Sequence, residues 1–129
     1  MKIDQQLLDE LTEQAKASPR RRMNYDLRNT DKDQSQRMLN AIEPDSVIPI
    51  HRHQKSSETV VVVRGKIVEV FFDATGKKTE SIELDPNGPC FAVNVPMGQW
   101  HTLHSLESGT VIMEVKDGAY EPMHEEDIL

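Results

Sequence analysis

With 129 residues and a formal charge of −7, the chain has room for one domain and repels phosphate backbones and anionic lipid. Charge therefore disfavours nucleic acid as a partner, and no stretch approaches the roughly 20 apolar residues that a membrane span needs. The first residues lack the apolar core of a leader peptide, and the lone Cys90 cannot form an internal disulfide, so we expect a protein of the reducing cytoplasm.

The predicted elements begin with one amphipathic helix. The apolar residues that recur at helical spacing are Ile3, Leu7, Leu8, Leu11 and Ala15. Asp4 is a start signal and Ser18-Pro19 is a stop signal. We therefore expect residues 1–18 to form an N-terminal helix that packs on a single domain over 19–129. Residues 20–35 mix charges and turn formers, which indicates an irregular connection with one short strand.

From residue 36 onward the pattern changes to short apolar or β-branched runs. These runs are QRMLNAI, VIPIHRH, ETVVVVR, KIVEVFF, TESIEL, CFAVNV, WHTLHSL and TVIMEVK. Turn signals divide them: EPDS, DATGKK, DPNGP, PMGQ and ESG. Short strands at such spacing are typical of an all-β sandwich or barrel.

Four potential metal ligands accompany these strands. Residues two apart in a strand share a face, so His51 and His53 can offer nitrogens to one ion. Glu58 begins the next strand, and His101 begins another after a Pro/Gly turn. Three imidazoles and one carboxylate suit a divalent transition metal such as Fe, Zn, Mn, Ni or Co, and suit calcium or magnesium poorly. An octahedral ion on these four ligands would keep two positions open.

The valine run that follows Glu58 is apolar on both faces. Val60 and Val62 share the face of Glu58, while Val61 and Val63 take the other. That second face needs cover from another sheet, from the first helix or from a second subunit. If the chain itself leaves it open, a two-fold homodimer is the commonest closed solution.

The ligand spacing resembles the two motifs of the cupin family. His51, His53, Glu58 and Gly65 stand at the intervals of the first motif, in which Asp45 replaces the leading glycine. Pro96, Gly98 and His101 stand at those of the second, in which Cys90 and Ser105 replace the leading glycine and the closing asparagine. The resemblance implies a double-stranded β-helix, or jelly-roll barrel, with a metal inside it.

A narrower resemblance extends from about Arg20 to Pro122. The segment QRMLNAIEPDSVIPIHRH, the two motifs and then EVKDGAYEP look like the WbuC family of small cupin-fold metalloproteins. Members of that family often accompany surface-polysaccharide genes, which implies a sugar or a sugar derivative as ligand. The family lacks a settled activity, so no reaction follows from the resemblance.

Other residues are candidates for contact with a ligand. An inward Arg37 would suit a carboxylate, phosphate or sugar hydroxyls, and an outward Arg37 paired with a surface acid is an equal alternative. Candidate acid or base groups are Tyr25, His104 and Tyr120, although an exterior position is favoured for His104 by strand parity. Arg20 to Arg22 could form an anion-binding rim, but a solvated charge run is favoured. Cys90 is expected to be a small buried hydrophobe rather than a reactive thiol.

Three functions fit this sequence. The first is a metalloenzyme acting on a small polar substrate, such as an isomerase, an epimerase or a dioxygenase-type cupin. The second is a binding or sensing module that holds a sugar or carboxylate at the metal without turnover. The third is a structural metal in a protein used for partner contact. Open coordination positions favour the first two, and no decisive general base separates them.

Overall fold

A computed structural model describes all residues from Met1 to Leu129 and shows eight strands and one α-helix. The helix, α1, spans Gln5–Ala17, and a short 3-10 turn spans Glu125–Asp127. The strands are β1 (Arg22–Asp26), β2 (Ser35–Ile42), β3 (Glu58–Arg64), β4 (Ile67–Phe72), β5 (Lys78–Leu84), β6 (Ala92–Val95), β7 (Trp100–Ser105) and β8 (Val111–Asp117). No helix is long and apolar enough to cross a membrane.

The strands form two antiparallel sheets. The larger has the order β1-β2-β8-β3-β6, and the smaller has the order β5-β4-β7. One core cluster joins them, since Ile42, Val60 and Ile112 of the large sheet pack with Ile67 and Leu103 of the small one. The prediction of an all-β fold with one N-terminal helix is confirmed.

The helix covers the outer face of the large sheet. Asp4 accepts a hydrogen bond from the Leu7 amide at 3.1 Å and caps its start. Its buried residues Leu8, Leu11 and Ala15 pack on a second cluster that contains Leu39, Ala41 and Val111. Burial of this face, rather than helix propensity, holds α1 in place.

Helix α1 also covers part of the apolar valine face of β3. Val63 packs against the cluster beneath α1, and Val61 is half-buried. The prediction of a homodimer assumed that the face of β3 with Val61 and Val63 is open. The chain itself covers part of that face. The homodimer stays a prediction.

One predicted strand does not form. VIPIHRH is extended but belongs to no strand, and only His51 makes bridges, to His101 and to Ile128. Pro49 lacks the amide hydrogen that a strand ladder needs, which prevents regular pairing along this run. The segment 47–53 therefore runs as a single extended connection from β2 towards β3.

Candidate metal centre

The two sheets and the 47–53 segment enclose a polar cavity of about 190 Å³. Four of its lining side chains are the predicted metal ligands, His51, His53, Glu58 and His101. Its other lining residues are Arg20, Arg22, Asn24, Met38, Asn40, Ile48, Val60, Glu69, Leu103, Glu114 and Lys116. The structure thus brings the whole predicted ligand set to one cavity.

The three imidazoles converge. One ligand atom from each of His51, His53 and His101 lies within 4.8 Å of the others. Glu58 Oε2 lies 3.4 Å from His53 Nε2 and 3.3 Å from His101 Nε2. His101 and Glu58 are buried, while His51 and His53 are half-buried. The cluster therefore faces the cavity from three separate elements: the extended segment, β3 and β7.

Two of the imidazoles are oriented by backbone carbonyls. His51 Nδ1 donates to the Pro49 carbonyl at 2.8 Å, and His101 Nδ1 donates to the Gln99 carbonyl at 2.8 Å. A carbonyl only accepts, so each Nδ1 carries the hydrogen and each Nε2 keeps a free lone pair in the neutral ring. Such carbonyl contacts orient metal-binding histidines.

The facing atoms of His101 and Glu58 are both acceptors. An imidazole Nε2 without a hydrogen and a carboxylate oxygen at 3.3 Å repel each other unless a proton or a metal ion lies between them. The same holds for His53 whenever its Nε2 is the unprotonated nitrogen. The donor set and its arrangement therefore fit a metal ion.

The segment that carries His51 and His53 is held on both sides. On one side, His51 exchanges backbone hydrogen bonds with His101 of β7, at 3.0 and 2.8 Å. On the other side, the Arg52 amide donates to the Asp127 carbonyl, and the Asp127 carboxylate accepts from Arg52 and Gln54. The Arg52 guanidinium also lies 4.5 Å from the centre of the Trp100 ring. These contacts fix an irregular segment without a regular ladder.

The surroundings shift the pKa values of two of the four predicted ligands, His51 and Glu58. Burial, with a contribution from the nearby His101, lowers the pKa of His51 to about 4, so this ring is neutral at pH 7. Burial alone would raise the pKa of Glu58, but hydrogen bonds from the His101 and His53 nitrogens, when these carry a proton, and the charge of Lys116 hold the pKa well below its usual range. Neutral imidazoles and an ionised carboxylate are the forms that bind a metal.

Two further carboxyl groups line the cavity. Burial, reinforced by the charge of Glu58, raises the pKa of Glu69 to about 9. Burial and Glu58 also raise the pKa of Glu114, which shares a hydrogen bond with Asn40. Three buried side-chain atoms have no hydrogen-bond partner in the protein: both carboxyl oxygens of Glu69 and Oδ1 of Asn40.

The structure corrects the predicted ligand-binding arginine. Arg37 lies on the side of β2 that carries Leu39 and Ala41 beneath α1, and its guanidinium pairs with Asp33 at 3.1 Å. It does not line the cavity. The outward alternative therefore applies, because α1 covers the face of β2 that carries Arg37 and leaves Met38 and Asn40 to line the cavity.

The predicted acid or base groups also lie elsewhere. Tyr25 packs on the cluster beneath α1, and His104 is exposed on β7. Tyr120 is exposed and lines a separate groove of about 940 Å³, which borders the cavity at His53 and Lys116. Cys90 is half-exposed and packs against the core joining the sheets. None of these side chains reaches the cavity.

Sequence reasoning missed several cavity residues. Arg20 and Arg22 line the cavity rather than forming a purely solvated run, and Lys116 joins them. Asn40, Glu69 and Glu114 also went unnoticed. A signal for these three exists in the sequence: each is a polar residue inside an apolar strand run, at the parity of a buried face.

Comparison with protein families places the chain in a family without an assigned function. The model of DUF6016, a domain of unknown function, matches residues 3–84, which is more than half of the chain. The chain belongs to the DUF6016 family. In this DUF6016 protein the matched segment contains His51, His53 and Glu58 but ends before His101. Among curated proteins, none matches the chain.

Solved structures similar to this DUF6016 protein have the cupin fold. The capsular polysaccharide assembling protein CapF from Staphylococcus aureus matches with TM-score 0.62 and 24% identity over 77% of this chain and 27% of its own. KdgF from Halomonas sp. matches with TM-score 0.63 and 16% identity over 80% and 84%. Oxalate decarboxylase from Bacillus subtilis, which has Mn(II) centres, matches with TM-score 0.57 and 15% identity over 78% and 26%. The predicted cupin fold is confirmed.

This DUF6016 protein spans about a quarter of the CapF and oxalate decarboxylase chains but most of KdgF. At such low identity the likeness concerns the fold alone, and one fold serves many chemistries. Membership of the WbuC family stays a prediction.

Proposed function

We propose that this protein is a mononuclear transition-metal cupin that binds a small polar ligand at the metal. His51, His53 and His101 would hold the ion through nitrogens, and Glu58 through a carboxylate oxygen. The observation that carries the proposal is the convergence of three imidazoles and the Glu58 carboxylate on one cavity, with Glu58 Oε2 3.3–3.4 Å from two imidazole nitrogens. The Mn(II) centres of a structural neighbour support a metal in this fold.

The finer assignment is a WbuC-type protein of surface-polysaccharide metabolism. The motifs and their flanking segments support it, and so does the structural likeness to a capsular polysaccharide assembling protein. The ligand would be a sugar or a sugar derivative. A bound metal would supply Lewis acidity towards ligand oxygens. This chain would supply the surrounding cavity, whose basic side chains Arg20, Arg22 and Lys116 attract anions.

Open coordination positions separate a ligand-binding site from a structural metal. With four protein ligands, an octahedral ion has two further positions, and these would face the cavity. A binding or sensing module and an enzyme both use such positions, whereas a structural staple does not. The predicted acid or base groups Tyr25, His104 and Tyr120 do not line the cavity. A binding role needs no acid or base, so it is consistent with the residues that do line it.

Cobalt(II) tests the open positions directly. We expect metal-free protein to take up about one equivalent of Co(II), with a visible absorption spectrum that changes when acetate is added. Sodium chloride at matched ionic strength is the control, and it should change the spectrum less. A cobalt spectrum that stays constant through millimolar acetate would contradict a ligand site and favour a structural metal.

A further inference from the structure

We propose that Glu69 and Asn40 form a hydroxyl-binding subsite beside the metal site, and that the ligand is a small polyhydroxylated carboxylate. This inference rests on the proposed function and names the class of ligand that the same cavity takes.

The unpartnered acceptors are concentrated in one place. Three buried side-chain atoms have no hydrogen-bond partner in the protein: the two carboxyl oxygens of Glu69 and Oδ1 of Asn40. Glu69 and Asn40 both line the cavity. The Glu69 side chain is fully buried in the middle of β4, where its cross-strand neighbours are Leu103 and Ile82. Burying an acceptor without a partner costs on the order of 1–3 kcal/mol. Folding alone does not explain a carboxyl group in this position.

Donors for these acceptors must come from the contents of the cavity. Solvent can provide them, and ligand hydroxyls that replace this solvent would restore the same hydrogen bonds. A hydroxyl group both donates and accepts, so it suits Glu69 in either its ionised or its protonated form. Asn40 Oδ1, on β2 of the other sheet, can accept a hydrogen bond from a further hydroxyl. Two acceptors on separate strands favour a ligand with several hydroxyls.

The charge of the cavity favours an anion. Three basic side chains, Arg20, Arg22 and Lys116, balance the three carboxyl groups Glu58, Glu69 and Glu114, even when all three are ionised. A divalent metal then leaves two surplus positive charges. A carboxylate on the ligand would offset part of this surplus.

The cavity volume limits the size of the ligand. About 190 Å³ corresponds to roughly six water molecules in the liquid. A small hydroxy acid is on this scale, and an oligosaccharide is not. A sugar unit at the end of a longer chain would need the opening of the cavity as well.

Three probe molecules separate the contribution of the ligand's hydroxyl groups from that of its carboxylate. Gluconate and 2-hydroxyhexanoate have the same chain length and the same α-hydroxycarboxylate, but only gluconate carries hydroxyls along the rest of the chain. Glucitol keeps the hydroxyls and lacks the carboxylate. Calorimetric titration of Mn(II)-loaded protein is expected to show gluconate binding about 10-fold or more tightly than either of the other probes.

Substitutions test whether Glu69 is responsible for the preference for gluconate. In Glu69→Leu, which removes both oxygens at similar volume, the preference for gluconate over 2-hydroxyhexanoate should fall by about 10-fold, while the affinity for 2-hydroxyhexanoate stays within about threefold. Glu83→Leu makes the same change at an exposed position of β5 and should leave the preference unchanged. If Glu69→Leu does not fold, Asn40→Ala tests the second acceptor with the same probes.

Separate outcomes bear on the inference and on the proposed function. Equal affinities for gluconate and 2-hydroxyhexanoate in the wild type, or an unchanged preference in Glu69→Leu, would overturn the subsite. Failure to load any of Mn(II), Fe(II), Co(II), Ni(II) and Zn(II) would overturn the metal function. In that event, the same titrations on the metal-free protein still decide for or against the subsite, because Glu69 and Asn40 line the cavity without a metal.

Discussion

Replacing His101 with alanine is expected to lower the affinity of the protein for Mn(II) by about 100-fold or more. His101 is the most buried of the three imidazoles, and its Nδ1 is held by the Gln99 carbonyl, so its Nε2 is a fixed donor. Loss of a ligand costs more than the roughly 10- to 100-fold typical of an outer partner. Calorimetric titration of metal-stripped protein with Mn(II) measures the affinity.

His104 provides the matched control for that experiment. It lies on the same strand, β7, but is exposed and outside the cavity. His104→Ala should therefore bind Mn(II) as tightly as the wild type. Circular dichroism of both variants shows whether the fold is kept. Equal Mn(II) affinity in a folded His101→Ala variant and in the wild type would remove His101 from the ligand set.

Replacing Gly65 with alanine is expected to lower the free energy of unfolding by about 3 kcal/mol or more. Gly65 has φ +82°, a conformation that costs an L-residue roughly 1–2 kcal/mol. A Cβ there would lie 2.2 Å from Thr110 Oγ1 and 2.7 Å from Thr110 Cα. Thr110 is fully buried, so its backbone has no room to move away. Urea denaturation measures the change.

Gly76 separates backbone conformation from crowding. It has φ +87°, and a Cβ there would meet only Leu129 Cδ2 at 3.6 Å, which is an ordinary contact. Gly76→Ala should therefore cost about 1 kcal/mol, from the backbone alone. If both variants lost the same stability, the close approach of Gly65 to Thr110 would not matter to the fold.

The fold and the candidate ligand set could be predicted because local patterns carry them. Short alternating runs between turn signals predict strands, and the spacing of His51, His53 and Glu58 is a local motif within one stretch of sequence. Gly65 closes that motif for a physical reason, since its backbone approaches Thr110 and no side chain fits. The position of Asp4 before the first apolar period likewise predicted the helix cap.

The other residues that line the cavity could not be predicted, because they depend on which face of each strand turns inward. For β2 the sequence offered two faces, one with Arg37 and Leu39 and one with Met38 and Asn40. Helix α1 covers the first face, so the second lines the cavity. That choice is made by tertiary packing and not by strand parity, which is why Arg37 was proposed and Asn40 was overlooked. Glu69 was missed for a related reason, because β4 reads as apolar on both faces.

The contacts of the 47–53 segment were also beyond sequence reasoning. Its pairing with Asp127 and Ile128 joins residues about 75 positions apart, and no periodic sequence pattern predicts this pairing. Pro49 explains why a regular strand fails, but the partner that replaces the ladder is visible only in the fold. The two half-buried histidines owe their positions to this contact.

The most direct test of a metal centre is elemental analysis of protein purified without added metal and without chelating resin, beside a His51→Ala, His53→Ala double variant. We predict about one equivalent of a divalent transition metal in the wild type and its loss in the variant. A wild-type protein that is metal-free, and that also takes up no Fe, Zn, Mn, Ni or Co ions at neutral pH under reducing conditions, would contradict the assignment.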